Sequence, residues 1–156
     1  GAEGTEGGDG HSFAVMRVNK ETGKAYIVYE YTSNEPSDMF DLKVSNICKE
    51  FRIKLGVEKN GVGLAHVLEL RKLGINVKEW NTTATSRPVM VTDLEKAYRK
   101  EELIESYPEA ESEAMGMIYD IRNKAIHQSG KHDDRVFARM VALQMSKLPV
   151  GKVSFL

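Results

Sequence analysis

The sequence has few of the features that would place it outside the soluble globular proteins. It holds one cysteine, Cys48, among 156 residues, which excludes an internal disulfide framework and fits a reducing compartment. No apolar run approaches the ~18–20 residues that a membrane-spanning helix needs, so we expect no membrane partner. No secretory leader pattern stands out. The sequence begins at Gly1 rather than at a methionine, and we therefore expect a domain excised from a longer protein.

Neither sign of charge is in excess. The 22 lysines and arginines are balanced by 23 acidic residues, for a net charge of −1. A protein that coats nucleic acid is usually strongly basic, so this balance argues against that class, although a local basic rim could still bind phosphate. With 41% hydrophobic and 29% charged residues, the chain is expected to form a single domain over residues 1–156, with a sizeable core.

Hydrophobic periodicity predicts alternating strands and helices. Val, Ile, Tyr and Phe are concentrated in 13–18 and 24–31, and the turn residues 19–23 between them predict a hairpin. The further predictions are a helix from Ser37, a strand at 53–58, a helix at 63–73, a strand at 77–80, a helix at 88–99, a helix at 109–117, a strand or hairpin at 119–127 and a helix at 133–147. This order predicts an α/β fold, a mixed sheet covered by helices, with Cys48 in the core.

Three short clusters of carboxylates, at 1–9, 57–63 and 130–135, are the most informative feature of the chain. A fold that brings them together makes an acidic pocket, which is unfavourable without a cation because like charges repel and desolvate each other. Oxygen ligands alone select hard divalent ions such as Mg²⁺ or Mn²⁺. The clusters therefore indicate metal-dependent phosphoryl chemistry.

Each cluster also has a simpler interpretation. Glu3 and Asp9 flank a glycine-rich loop that could approach a ligand closely, or that could be a flexible linker with solvated acids. Glu58 ends an apolar strand, where a carboxylate can be held rigidly for a metal, or where it could simply be exposed in a turn. Asp133 and Asp134 precede the last helix, and one of them could cap it without any other role.

Several basic side chains near these clusters are candidates for phosphate contacts. They are Lys59, Arg87, Lys131, His132 and Arg135. A side chain of this kind is more often an ordinary solvated surface charge. The four histidines show no zinc-type spacing, and only His132, beside the acids, is carried as a neighbour of the site.

Taken together, the three clusters resemble the nuclease domain of the large terminase subunit of tailed bacteriophages. Residues 1–15 resemble the family's acid- and glycine-containing first strand and loop. The Val-Glu-Lys-Asn-Gly-Val-Gly run at 57–63 resembles its second motif, residues 80–87 resemble the segment that follows, and residues 131–136 resemble the third motif. The resemblance runs over nearly the whole chain.

This resemblance implies a ribonuclease H-like fold, with a central mixed β-sheet flanked by α-helices and acids that converge on two divalent metal ions, Mg²⁺ or Mn²⁺. By position, Glu3, Asp9, Glu58, Asp133 and Asp134 would be the metal-binding and catalytic acids. The family's first acid is usually Asp, and the extra methylene of Glu3 moves the carboxylate by roughly 1.5 Å. Octahedral Mg²⁺ tolerates such changes poorly, so Asp9 could take more of the role.

The implied activity is endonucleolytic cutting of concatemeric viral DNA during genome packaging. One metal ion would activate a water, and the other would stabilise the departing 3′ oxygen. The implied partners are double-stranded DNA, the terminase ATPase domain, the small terminase subunit and the portal, all in the host-cell cytoplasm. The ATPase motor is expected elsewhere, because this sequence has no Walker A motif.

Three other functions fit parts of the pattern. A different ribonuclease H-like nuclease, such as a junction resolvase, would keep the acids and change the DNA substrate. A non-catalytic module that binds DNA or a protein partner would keep the fold and lose activity, as Glu3 and the near-neutral charge allow. A calcium-binding structural domain fits least, because the sequence contains no EF-hand loop.

Overall fold

The structure, a computed structural model, describes residues 10–122 and 134–148. Strands and helices alternate along this part of the chain. In order, they are β1 (His11–Val18), β2 (Ala25–Ser33), α1 (Ser37–Phe51), β3 (Leu55–Glu58), α2 (Gly63–Lys72), β4 (Val77–Trp80), α3 (Ser86–Arg99), β5 (Leu103–Glu105), α4 (Pro108–Arg122) and α5 (Asp134–Ser146).

The predicted hairpin is present as β1 and β2, which pair antiparallel with a β-bulge between Val15 and Met16. Asn19 holds its turn: the backbone carbonyl accepts a 2.8 Å hydrogen bond from the Gly23 amide, and the side chain accepts one of 2.9 Å from the Glu21 amide. Gly23 has a φ of 77°, a conformation that favours glycine. β5 then pairs with β2 in parallel, which gives a mixed three-stranded sheet in the order β1-β2-β5.

A second sheet contains only β3 and β4, which are parallel neighbours. Parallel strands need a crossover connection, and α2 supplies it. After α2, Gly74 adopts a φ of 89° and turns the chain towards β4. The carboxyl ends of β3 and β4 therefore lie at the same edge of this sheet, where Glu58 and Trp80 are paired in register.

Helices cover both faces of the strands. On one face, α3, α4 and α5 enclose a core around Ile27, Leu94 and Met140, each fully buried. On the other face, α1 and α2 enclose a core that includes Phe13 of β1 and Leu55 of β3. Because this second core contains residues of both sheets, the two sheets belong to one layered unit. The predicted α/β arrangement, with a mixed sheet flanked by helices, is confirmed.

The strands are divided differently from the prediction of one central sheet. In the described residues no ladder joins β1 to β3, so the three-stranded and two-stranded sheets remain separate. A cleft lined by both β1 and β3 lies at the boundary between the two sheets.

Two element predictions were wrong. The strand or hairpin expected at 119–127 is helical as far as Arg122, and the remainder lies outside the described residues. Ala110, Ala114 and Met117 of α4 are buried at helical spacing, and this packing outweighs the β-propensity of the residues that follow. Strand β5 was missed because three residues carry too little periodicity; its parallel pairing with β2 defines it.

The other elements begin and end within a few residues of their predicted bounds. Helix α1 ends at Phe51 because Arg52 adopts a left-handed conformation, with φ 54°. The helix begins at Ser37, as predicted, and Pro36 occupies its N-cap position. Cys48 is buried, as predicted. Among the described helices, none combines the length and the apolar character that a membrane span requires.

Candidate functional site

A cleft of about 680 Å³ lies between β1 and β3. Its lining includes Glu58, at the end of β3, and Asp134, the first residue of α5. These two are the members of the predicted acidic set that fall within the described residues. The fold therefore brings two carboxylates that are far apart in sequence to the same cleft.

Glu58 is held in place by a small polar network. The Thr82 hydroxyl donates a hydrogen bond to Glu58 Oε1. Asn60 Nδ2 donates to the same oxygen at 3.3 Å and to the Thr82 hydroxyl at 2.7 Å and carbonyl at 2.9 Å. Within the described residues, both side-chain hydrogen bonds to the Glu58 carboxylate fall on Oε1. The loop after β4 thus orients the carboxylate that ends β3.

The backbone of Glu58 is fixed by a close approach from α2. A Cβ built on Gly63, the first residue of α2, would lie 1.6 Å from the Glu58 carbonyl oxygen. Only glycine leaves room for this contact, since real Cβ atoms do not come so close to a backbone oxygen. Gly63 therefore has a steric role, because it lets the start of α2 lie against the end of β3.

Asp134 is placed by the start of α5 against the start of β1. A Cβ built on Gly10 would lie 3.7 Å from Asp134 Oδ2. Asp134 is half-buried and lies in the first turn of its helix, where the helix dipole favours a negative charge.

The remaining predicted acids, Glu3, Asp9 and Asp133, lie outside the described residues. Within residues 10–122 and 134–148, no group of three or more His, Cys, Asp or Glu side chains is arranged to hold a metal ion. Glu58 and Asp134 offer the hard oxygen donors that Mg²⁺ and Mn²⁺ prefer, so the chemistry of the described donors fits these ions. The full five-acid set stays a prediction.

The predicted phosphate contacts have different surroundings. Lys59 forms an ion pair of 3.3 Å with Glu79. Arg87, exposed at the start of α3, lies over the Phe137 ring at 4.7 Å from its centroid. Phe137 lines the cleft about one helical turn after Asp134, so Arg87 lies against a residue of the cleft wall. Lys131 and His132 lie outside the described residues.

Arg135 belongs to a network of ion pairs inside the protein. Its guanidinium donates to Glu30 at 2.9 Å and to Glu113 at 3.2 Å. The hydrogen bond to Glu30 raises the pKa of Arg135. These contacts account for Arg135 as a structural residue, and its predicted contact with phosphate has no support from this geometry.

Arg139, one turn further along α5, is the centre of that network and was not identified from the sequence. It is fully buried, donates to Glu30 at 2.6 Å and contacts both oxygens of Glu105 at 2.8 Å. Burial disfavours the ionised form of Glu30, but hydrogen bonds from Arg135 and Arg139 outweigh it and lower the pKa of that carboxyl. The position of Arg139 among Val136, Met140 and Val141, which are also buried, was the one available signal.

A chain of three polar side chains at the start of β1 was also missed. His66 Nδ1 lies 2.6 Å from Asp41 Oδ1, and His66 Nε2 lies 3.2 Å from His11 Nδ1. Asp41 is buried, and all three residues line the cleft. Burial, reinforced by His66, lowers the pKa of His11. These contacts connect β1 to α1 and α2. The spacing of the three residues in the sequence gives no indication that they meet.

Comparison with protein-family models, with curated protein sequences and with solved structures gave no match to this chain.

Proposed function

We propose that this chain is a divalent-metal-dependent DNA endonuclease, a ribonuclease H-like nuclease domain of the type found in tailed-bacteriophage large terminase subunits. The observation that carries the proposal is that Glu58 and Asp134, from the second and third acidic clusters, line one cleft. Strand ends and helix starts are rigid supports, as a site for metal ions requires. The resemblance of the motifs suggests the reaction class. The shared cleft supports the proposal, because it is where the acids would hold metal ions.

Within this proposal, Glu58 and Asp134 would hold Mg²⁺ or Mn²⁺, together with Glu3, Asp9 and Asp133. When bound, such ions activate water and neutralise the charge that develops on a phosphodiester. Thr82 and Asn60 keep the Glu58 carboxylate oriented for the ligand. Arg87, which lies over the ring of Phe137 in the cleft wall, would be a cation for a DNA phosphate, a contact that is independent of base sequence.

The proposed biological setting follows from the same family. The substrate would be concatemeric double-stranded viral DNA in the host-cell cytoplasm. The partners would be the ATPase motor domain, the small terminase subunit and the portal. Contacts mainly to the DNA backbone predict weak dependence of cutting on sequence.

The direct test is plasmid cleavage in Mn²⁺ or Mg²⁺ by the unmodified chain and by Glu58→Ala. We expect the substitution to reduce cleavage by at least about 100-fold, more than is typical for a residue that only orients a ligand. The folded state is checked by circular dichroism and thermal unfolding. Glu50→Ala, an exposed acid on α1, is the matched control and should cleave normally.

Three outcomes would decide against the proposal in different ways. No metal-dependent cleavage by the unmodified chain would favour the non-catalytic binding module. Full activity of a folded Glu58→Ala variant would remove Glu58 from the site. Preference for four-way junctions over linear duplex would favour a resolvase.

A further inference from the structure

Two histidine side chains meet where β1 begins. His11 is the first residue of β1, and His66 lies on α2. His66 Nε2 and His11 Nδ1 are 3.2 Å apart. The ring planes are inclined at 83°, with their centroids 4.8 Å apart. The two rings therefore approach each other through these nitrogen atoms rather than by stacking.

Asp41 determines which nitrogen of His66 carries the proton. A carboxylate can only accept hydrogen bonds, so the 2.6 Å contact between Asp41 Oδ1 and His66 Nδ1 assigns the proton to Nδ1. In neutral His66, Nε2 is then left with a lone pair. This lone pair faces the ring of His11, and a lone pair is what a metal ion binds.

Asp41 also brings a carboxylate into the protein interior. Its side chain is 2% exposed, and the side chain of His66 is 12% exposed. Asp41 Oδ2 is buried and has no hydrogen-bond partner among the described residues. A buried carboxylate is costly unless positive charge and hydrogen bonds compensate it. A cation held on the far side of the His66 ring would supply that charge.

The spacing of the two nitrogens fits a shared metal ion. At zinc–nitrogen distances of about 2.0–2.1 Å, two ligands of one tetrahedral ion lie roughly 3.3–3.4 Å apart. The 3.2 Å between His66 Nε2 and His11 Nδ1 is close to this value. Metal-binding histidines usually donate their other N–H to a carboxylate or a carbonyl, as His66 does to Asp41.

We propose that His11 and His66 bind one Zn²⁺ ion, with Asp41 as the outer carboxylate that orients His66. Imidazole nitrogen is a preferred ligand of zinc, whereas Mg²⁺ and Mn²⁺ prefer the oxygens of the acidic clusters. Two side chains are fewer than the three or four of most zinc centres, so water completes the coordination and the affinity is below that of a structural zinc site.

The zinc ion and the proposed nuclease site use different residues of the cleft wall. His11, His66 and Asp41 line the cleft, but none of them belongs to the five predicted acids. At about 30 Å³ for each water, the two waters on the ion take up roughly 60 Å³. The cleft measures about 680 Å³, so most of it stays open. The inference does not depend on nuclease activity.

The test is calorimetric titration of the unmodified chain with Zn²⁺ in an excess of Mg²⁺, which occupies oxygen sites but not imidazole. We expect one zinc ion to bind per chain. His11→Phe keeps an aromatic ring beside Phe40 and removes one ligand. It should weaken binding at least about 100-fold, the upper end of what an outer-shell change costs. Asp41→Asn should weaken binding by about 10- to 100-fold.

Controls and a second measurement keep the test independent of folding defects. His127→Asn and His132→Asn remove the other two histidines of the chain and should bind zinc normally. Glu58→Ala should also bind zinc normally. Circular dichroism checks that each variant is folded. In the unmodified chain, nitrogen NMR of the imidazoles should show zinc shifting the signals of His66 Nε2 and His11 Nδ1.

Three results would overturn the proposal. The first is that the unmodified chain does not bind zinc in the presence of Mg²⁺. The second is that folded His11→Phe binds zinc as tightly as the unmodified chain, which would place the ion elsewhere. The third is that zinc leaves the two facing nitrogen signals unchanged, which would show that the rings share a proton instead. None of these results bears on plasmid cleavage, so the two proposals fail separately.

Discussion

Thr82 illustrates how a residue outside the acidic clusters can support the candidate site. Its hydroxyl accepts a hydrogen bond from Asn60 and donates its own proton to Glu58. A hydroxyl has one proton to donate, and a carboxylate can only accept. Hydrogen-bond donation therefore runs from Asn60 through Thr82 to Glu58. Thr82 therefore acts as a positioning residue that couples the loop after β4 to the end of β3.

We expect Thr82→Val to reduce metal-dependent cleavage by about 10- to 100-fold, as is typical when the partner of a ligand is removed. Thr82→Ser keeps the hydroxyl and should retain most of the activity. Thr85→Val, on an exposed residue of the same loop, should be neutral. Cleavage rates at several Mn²⁺ concentrations provide the measurement. If valine and serine variants behave alike, the hydroxyl has no positioning role.

Single residues were predicted unevenly. Cys48 is 3% exposed, and burial raises the pKa of its thiol to about 11, which agrees with its assignment to the core. His66 was not singled out, and its contacts with Asp41 and His11 connect α2 to α1 and β1. Arg139 was not singled out, because composition gives no reason to bury an arginine. Its partners, Glu30 and Glu105, come from two different strands that only the fold brings together.

At the scale of elements, two glycines in helices have opposite roles. A Cβ at Gly63 would collide with the Glu58 carbonyl, whereas a Cβ at Gly116, inside α4, meets nothing within 4 Å. Glycine in a helix interior is destabilising relative to alanine by roughly 0.5–1 kcal/mol. Position 63 therefore requires glycine, whereas position 116 does not.

We expect Gly63→Ala to lower the free energy of unfolding by about 1–3 kcal/mol, the usual cost of overpacking. Gly116→Ala should raise it by roughly 0.5–1 kcal/mol, because the helix gains propensity without a clash. Urea unfolding of both variants under the same conditions is the measurement. A neutral Gly63→Ala would show that α2 can move away from Glu58 at no cost.

The elements were predicted well where the pattern was long. The hairpin and the helices α1 and α2 follow clear periods of two or 3.6 residues, and their bounds nearly match the structure. β5 and the end of α4 were predicted wrongly, because β5 is three residues long and the burial of Ala114 and Met117 continues α4. In both cases packing against another element, rather than local preference, decides the outcome.

At the scale of the whole molecule, the ion pairs of α5 connect the helix to both β2 and β5. Arg139 contacts Glu30 of β2 and Glu105 of β5, and Tyr98 of α3 donates to Glu105 at 2.9 Å. A fully buried arginine with two carboxylate partners is far more costly to disrupt than a surface pair. The network thus links one helical layer to the three-stranded sheet.

We expect Arg139→Met to lower the free energy of unfolding at pH 7 by about 3–5 kcal/mol, because two buried carboxylates lose their counter-charge. Arg99→Met is the control: its pair with Glu95 is of similar length, 2.8 Å, but the arginine is 57% exposed. We expect Arg99→Met to lower the free energy of unfolding by less than about 1 kcal/mol. Thermal or urea unfolding gives both values, and equal losses would contradict a central role for Arg139.

The acid dependence of stability has a definite sign. The pKa of Glu30 is lower in the folded state than in the unfolded chain. The ionised carboxylate therefore makes its full contribution to the free energy of unfolding above the unfolded-state pKa, which is about 4.3. That contribution is lost as pH falls through the folded-state pKa. We expect the loss of free energy of unfolding between pH 7 and pH 3 to be smaller in Arg139→Met than in the unmodified protein. Urea unfolding at several pH values measures it. An identical pH dependence in both proteins would show that Glu30 owes nothing to Arg139.

Local periodicity and residue chemistry specify the α/β class, most of the helices and strands, and the three acidic clusters. Which distant residues meet depends on the tertiary fold. The fold brings Glu58 and Asp134 to one cleft and pairs the buried Arg139 with carboxylates of two different strands. Contacts between residues far apart in sequence depend on the relative placement of whole elements, and no local pattern encodes that placement.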